Sequence, residues 1–170
     1  MTQVTFQGNK VSLNGQLPSV GSQAPEVKLC DTDLKDFQLK DKKGSVVIFS
    51  IVPSLDTGVC ATSARKFNQE ASSLNGVTVC CVSEDLPFAS GRFCQAEGIK
   101  NVVCLSDYRR ENSFGKNYGV EIADGALRGL LSRAIVVIDK QGKVAYTELV
   151  NEITNEPNYS AALDAAKKCL

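Results

Sequence analysis

The chain has 170 residues, 43% hydrophobic and 22% charged, which suits one globular domain with a full apolar core and is too short for two ordinary ones. Its 19 Lys and Arg balance 19 Asp and Glu, so no overall field draws in nucleic acid or anionic lipid, and no apolar run nears the ~20 residues of a membrane span. Histidine is absent, which removes Cys–His and Ser–His hydrolases for want of a base and nearly excludes Cys/His zinc sites.

The N-terminus "MTQVTFQGNK" carries no hydrophobic signal region, so a cytoplasmic protein is expected. "VTFQGNKVSL" alternates around Gly8-Asn9 and reads as a hairpin, with "VKLCD" and "FQLK" as short strands around an acidic turn. "SVVIFSIV" (45–52) is a continuous β-branched run, as in a strand buried on both faces. After a loop, Cys60, Ala64, Phe67, Ala71 and Leu74 recur at helical spacing. "VTVCCVS" is a second buried strand. "DLPFASGRFCQAEG" is a helix capped by Ser83 or Asp85, with Pro87 in its first turn and Gly98 past its end. "NVVCLS" is a third buried strand, followed by an irregular stretch. "RAIVVID" and "KVAYTEL" form a hairpin across Lys140-Gln141-Gly142, and "NYSAALDAAKK" closes the chain as a helix. The pattern predicts an α/β fold with a mixed central sheet flanked by helices.

Seven cysteines cannot all pair within the chain, and none are spaced C-x-x-C. Cys80, Cys81 and Cys104 lie inside apolar strands and read as small buried hydrophobes, Cys30 likewise, and Cys169 as an exposed terminal residue. Cys60 differs. It opens a helix after a strand and loop, beside unpaired backbone N–H groups and the positive end of the helix dipole, where a thiolate is favoured. Thr57 is placed to bring its hydroxyl to that sulfur or to an oxygen bound there, and Pro53 to shield the site from water. Cys94 sits at the edge of an Ala89–Phe93–Ala96 stripe on a helix weakened by Gly91, which costs roughly 1 kcal/mol against alanine. Two readings stand for it: a half-buried cysteine, or a second thiol that local unwinding delivers to Cys60.

"CATSAR" has four residues between Cys60 and Arg65, one short of a cysteine phosphatase loop. No proline precedes "RAIVVID", which weakens a thioredoxin-type oxidoreductase. A peroxide O–O bond is a substrate that a lone thiolate attacks without a histidine base.

"PSLDTGVC" contains Pro53-x3-Thr57-x2-Cys60, which resembles the P-x3-T-x2-C signature of peroxiredoxins. "FQGN", "PSLDTGVCATSARKFN", "SEDLPFASGRFCQAEGI", "YGVEIADGALRGLLSRAIVVID" and "LVNEITNEPNY" extend the resemblance over nearly the whole chain, to the bacterial thiol peroxidase branch (atypical two-cysteine peroxiredoxins). The resemblance implies a thioredoxin-like fold over residues 1–170, with residues 1–16 as an N-terminal β-hairpin extension, working as a homodimer. It implies Cys60 as peroxidatic cysteine, Thr57 and Pro53 as pocket partners, and Cys94 as resolving cysteine in the same chain. Arg133 matches the arginine that holds thiolate and peroxide, with Arg65 and Arg92 weaker candidates. It further implies hydrogen peroxide and alkyl hydroperoxides as substrates, thioredoxin as reductant and no cofactor. The five remaining cysteines depart from the pattern and are expected to form off-pathway disulfides only under strong oxidation. The alternatives are a general thiol–disulfide oxidoreductase and a non-catalytic redox-sensing module.

Overall fold

The computed structural model describes residues 1–170. The longest apolar runs build its centre. Strand β5 (Val46–Ile51) is buried throughout and pairs in parallel with β6 (Val77–Ser83), which pairs in parallel with β7 (Val102–Ser106). On the other side β5 runs antiparallel to β9 (Ala134–Ile138), and β9 to β10 (Val144–Leu149). With β3 (Lys28–Cys30) and β4 (Asp36–Gln38) beyond β7, the sheet order is β10-β9-β5-β6-β7-β3-β4. This is the expected mixed sheet.

Alternation along these strands separates two apolar layers. Val47, Phe49, Cys80, Val82, Leu105 and Val136 point to one face, where Phe114 and Tyr118 cover them. Val46, Ile48, Val79, Cys81, Cys104 and Val137 point to the other, against α1 (Gly58–Ala71) and α4 (Tyr159–Lys168), with half-buried side chains of α2 (Pro87–Glu97). The adjacent cysteines of "VTVCCVS" therefore face opposite ways. Cys81 joins the helical layer and Cys80 does not.

The N-terminal hairpin is present as β1 (Thr2–Phe6) and β2 (Asn9–Asn14), but its turn is Gln7-Gly8. Both residues have positive φ, 52° and 81°, as a type I′ turn demands, and Asn9 pairs with Phe6. β2 also pairs with β8 (Glu121–Ile122), a two-residue strand within the stretch read as irregular. Hydrogen bonds from Thr5 N to Asn151 O (2.7 Å) and from Ile153 N to Thr5 O (2.8 Å) fasten the hairpin to the loop after β10.

Both central helices differ from expectation in detail. Helix α1 ends at Ala71, so Leu74 packs against the same layer from beyond it. Helix α2 begins at Pro87 after Leu86, and neither Ser83 nor Asp85 caps it. Pro87 and Ser90 are buried on its inward face, Phe93 and Cys94 are half-buried against the helical layer, and Ala89 and Ala96 are exposed. Small residues face the sheet here because α2 lies close over β7. Cys169 is half-buried against the helical layer rather than free at the terminus.

Candidate active site

Strand β5 delivers the chain to the site at its carboxyl end. Val52 N still bonds to Val82 O at 3.0 Å, extending the sheet by one residue before Pro53, which is buried, turns the chain away. The following loop is held by Asp85 from the end of β6. Its carboxylate accepts from Ser54 Oγ (2.8 Å), Leu55 N (2.7 Å) and Ser83 Oγ (3.1 Å). Asp85 is a positioning residue for the loop, and nothing in its sequence neighbourhood marks it as one.

Thr57 caps the helix that follows. Its Oγ1 accepts from Cys60 N (3.4 Å) and donates to Ser54 O (3.2 Å), so the hydroxyl is engaged with backbone rather than with the sulfur. Gly58 opens α1, and Cys60 lies in its first turn with no exposed surface. The first-turn N–H groups and the helix dipole put positive potential on this side of the sulfur.

Arg133 supplies the rest. It precedes β9, the neighbour of β5, and is 3% exposed rather than a solvated strand start. Its Nε donates to Ile153 O at 2.8 Å, and its Nη2 to Cys60 Sγ at 3.3 Å. Nη1 is buried with no partner. A buried guanidinium with no carboxylate in reach needs an anion, and the Cys60 sulfur is the acidic group it faces. The orphaned Nη1 is a donor ready for an oxygen beside that sulfur. The structure does not bring Arg65 or Arg92 to the sulfur: Arg65 pairs with Glu97 at 2.8 Å on the surface, and Arg92 lines a groove with Asp56, Asp85 and Phe93 between the loop and α2.

Cys94 is half-buried in the last turn of α2, and its Sγ lies 2.8 Å from that of Cys104 on β7. The hydrogen bond shared by the two thiols holds Cys94 below the ordinary thiol range, while the same bond and burial push Cys104 up. The sulfurs of Cys60 and Cys94 thus have different partners, and both cysteines are free thiols. Of the residues expected here, Arg133 and Thr57 meet Cys60 directly, Pro53 is buried at the start of the loop that leads to it, and Cys94 stands on a separate helix in the same apolar layer.

The chain is similar to known proteins along nearly its whole length. The family model described as Redoxin matches residues 19–163. The chain is 54% identical to a thiol peroxidase of Mycobacterium tuberculosis, covering 97% of this chain and 98% of that protein. It is 52% identical to a thiol peroxidase of Leptospira interrogans over the full length of both. The crystal structure of a peroxiredoxin-like protein from Aquifex aeolicus superposes with a TM-score of 0.94 at 45% identity, covering 100% of this chain and 98% of that one.

Proposed function

For a chain that belongs to the redoxin family, and within it to the bacterial thiol peroxidases, we infer that the pocket around Cys60 is where the enzyme reduces hydroperoxides at the expense of a thiol reductant. The observation that carries this reading is the buried Arg133, with one nitrogen 3.3 Å from Cys60 Sγ and another lacking a partner.

The Cys60 thiolate attacks the terminal oxygen of the peroxide, the O–O bond breaks, and the alkoxide or hydroxide leaves with the bonding pair. Arg133 Nη2 holds the sulfur in line, and Nη1 donates to a peroxide oxygen as charge develops on it. Pro53 keeps water from the sulfur, and Thr57, by accepting from Cys60 N, fixes the first turn of α1 that carries the sulfur. The product is a Cys60 sulfenic acid.

Cys94 resolves it. The Cys94 thiolate displaces hydroxide from the sulfenic sulfur and forms a Cys60–Cys94 disulfide. Because a disulfide needs Cα atoms within roughly 7 Å, with matching side-chain directions, α2 and the start of α1 unwind locally for this step. Thioredoxin returns the disulfide to two thiols. The enzyme works as a homodimer in the cytoplasm, and hydrogen peroxide and alkyl hydroperoxides are both substrates.

Peroxide consumption coupled to a thioredoxin system, with Cys60→Ser and Cys94→Ser, tests the assignment. Cys60→Ser abolishes turnover, and Cys94→Ser reacts once with peroxide but fails to cycle with thioredoxin. Substantial turnover by Cys60→Ser, or native turnover by Cys94→Ser, rules the corresponding role out. Disulfide exchange on protein substrates without peroxide consumption would instead support a general oxidoreductase.

A further inference from the structure

Four of the seven cysteines share one layer. Cys60, Cys81 and Cys104 are fully packed between the helices and the sheet, and Cys94 closes over them from α2. Cys81 and Cys104 are directly opposed in the parallel pairing of β6 and β7. Cys81 is pushed well above the ordinary thiol value by burial first, then by the charges of Cys60 and Cys94, so it lies within the electrostatic reach of both. The closest approach in the layer is between Cys94 and Cys104, at 2.8 Å, within about 1 Å of a covalent S–S length of about 2.05 Å.

We propose that Cys104 is a third redox-active thiol, which takes Cys94 from the Cys60–Cys94 disulfide and leaves a Cys94–Cys104 disulfide with a freed Cys60 thiolate. This rests on the roles given to Cys60 and Cys94 above. The Cys104 sulfur attacks the Cys94 sulfur, the Cys60–Cys94 bond breaks, and its electron pair departs on Cys60. The Cys104 proton combines with the hydroxide released when Cys94 displaced it from the sulfenic acid, so the step yields water. One peroxide is reduced, two thiols become one disulfide, and Cys60 is back in its starting state.

Three features drive the transfer in this direction. A Cys60–Cys94 bond holds α1 and α2 out of their native places, whereas a Cys94–Cys104 bond forms with α2 folded on β7. The sulfur left behind, Cys60, departs into a pocket where the Arg133 guanidinium already donates to it at 3.3 Å. The hydrogen bond with Cys94, and then burial, leave Cys104 a poor thiolate, but contact with its target offsets that handicap by proximity. The external thiol then attacks the half-exposed Cys94, and the buried Cys104 is the leaving group.

The test uses the reduced native chain, one equivalent of hydrogen peroxide, rapid alkylation and non-reducing tryptic mapping. Lys100 separates Cys94 from Cys104, so the two fall on different peptides. The expected result is a 94–104 linkage with Cys60 alkylated, changing to a 60–94 linkage in Cys104→Ala. Without reductant, the native chain should consume about two equivalents of peroxide and Cys104→Ala about one. A 60–94 linkage as the sole product in the native chain overturns the role of Cys104 and leaves the Cys60–Cys94 reading intact. A 81–94 linkage moves the role to Cys81 and overturns it for Cys104. Linkage of Cys60 to any cysteine other than Cys94 overturns both. The mapping on native protein decides the matter even if Cys104→Ala folds poorly.

Discussion

Arg133 Nη2 reaches Cys60 Sγ across 3.3 Å from the neighbouring strand, while its Nε is held by the carbonyl of Ile153 at 2.8 Å. One buried cation thereby serves both as counter-ion to the nucleophile and as a donor fixed in direction. Lysine keeps the charge but not the fork. Arg133→Lys is expected to lower the rate of reaction with peroxide by about 10²–10³-fold, the range for removing a preorganised donor to developing negative charge. Stopped-flow measurement of Cys60 oxidation, taken before any reductant acts, isolates that step. A rate within a few-fold of native would show that Nη1 and Nη2 do not act on the peroxide.

Thr57 binds backbone on both sides, so its replacement should act through the helix terminus. Thr57→Ala is expected to cost about 1 kcal/mol of stability, the usual effect of losing an N-cap, with Thr57→Ser recovering most of it. Peroxide reactivity should fall and recover in the same order. Chemical denaturation and the oxidation rate of the two variants check this together. A Thr57→Val variant that kept native reactivity would remove the hydroxyl from the mechanism.

Gly91 lies mid-helix in α2, where an added Cβ would meet Thr32 Cβ at 3.8 Å, ordinary contact distance. Gly91→Ala should therefore stabilise α2 by up to about 1 kcal/mol without a clash. If α2 must unwind for Cys94 to reach Cys60, disulfide formation slows by up to about fivefold, and the sulfenic acid is more readily over-oxidised. The amide exchange rates of α2 and the yield of sulfinic acid per turnover measure the two effects. Slower exchange with unchanged disulfide formation would show that resolution does not pass through unwinding of α2.

Glu84 and Asp107 share a poorly solvated corner with Arg110, 3.7 Å from Glu84. Burial first, and then the Asp107 charge, push the Glu84 carboxyl up to about 8 from an ordinary 4.5, and burial raises Asp107 to about 6. The protonated form of Glu84 is the one the fold favours, and its proton serves the hydrogen bond between the two carboxyls. A folded-state value above the unfolded one means stability that is complete below about pH 4.5 and is lost as pH climbs through about 8. Melting temperatures taken from about pH 5 to about pH 9 should fall with pH, and Glu84→Gln should flatten the slope. An unchanged slope in Glu84→Gln would place the titration elsewhere.

The centre of this fold is legible residue by residue. "SVVIFSIV" could only be a strand buried on both faces, and Thr57-Gly58 before Cys60 could only be the mouth of a helix. What escaped reading depends on contacts between distant segments. β8 is two residues long and exists because Leu13 and Asn14 pair with it. Of the Ala89–Phe93–Ala96 stripe on α2 only Phe93 packs inward, and the fully buried positions are Pro87 and Ser90, which a hydrophobic pattern does not single out. Arg133 shows no sign in the sequence that its charge is buried, since that follows from Cys60 lying opposite it in the first turn of α1, beyond the end of the neighbouring strand β5. The resemblance drew attention to it, and the geometry supplies the physical reason. Asp85 and Cys104 carry no local mark either. Their partners, Leu55 and Cys94, are brought to them by the crossovers between β5, β6 and β7.

The anchoring of Arg133 reaches further than the pocket. Ile153, whose carbonyl holds Nε, is itself clasped through its amide by Thr5 in the first strand of the hairpin. The aim of the guanidinium is thus set through two successive hydrogen bonds by a segment at the opposite end of the chain. Pulling on Met1, through a bulky fusion or a tether to a surface, would work this linkage like a lever and detune the thiol without any atom of the pocket being altered.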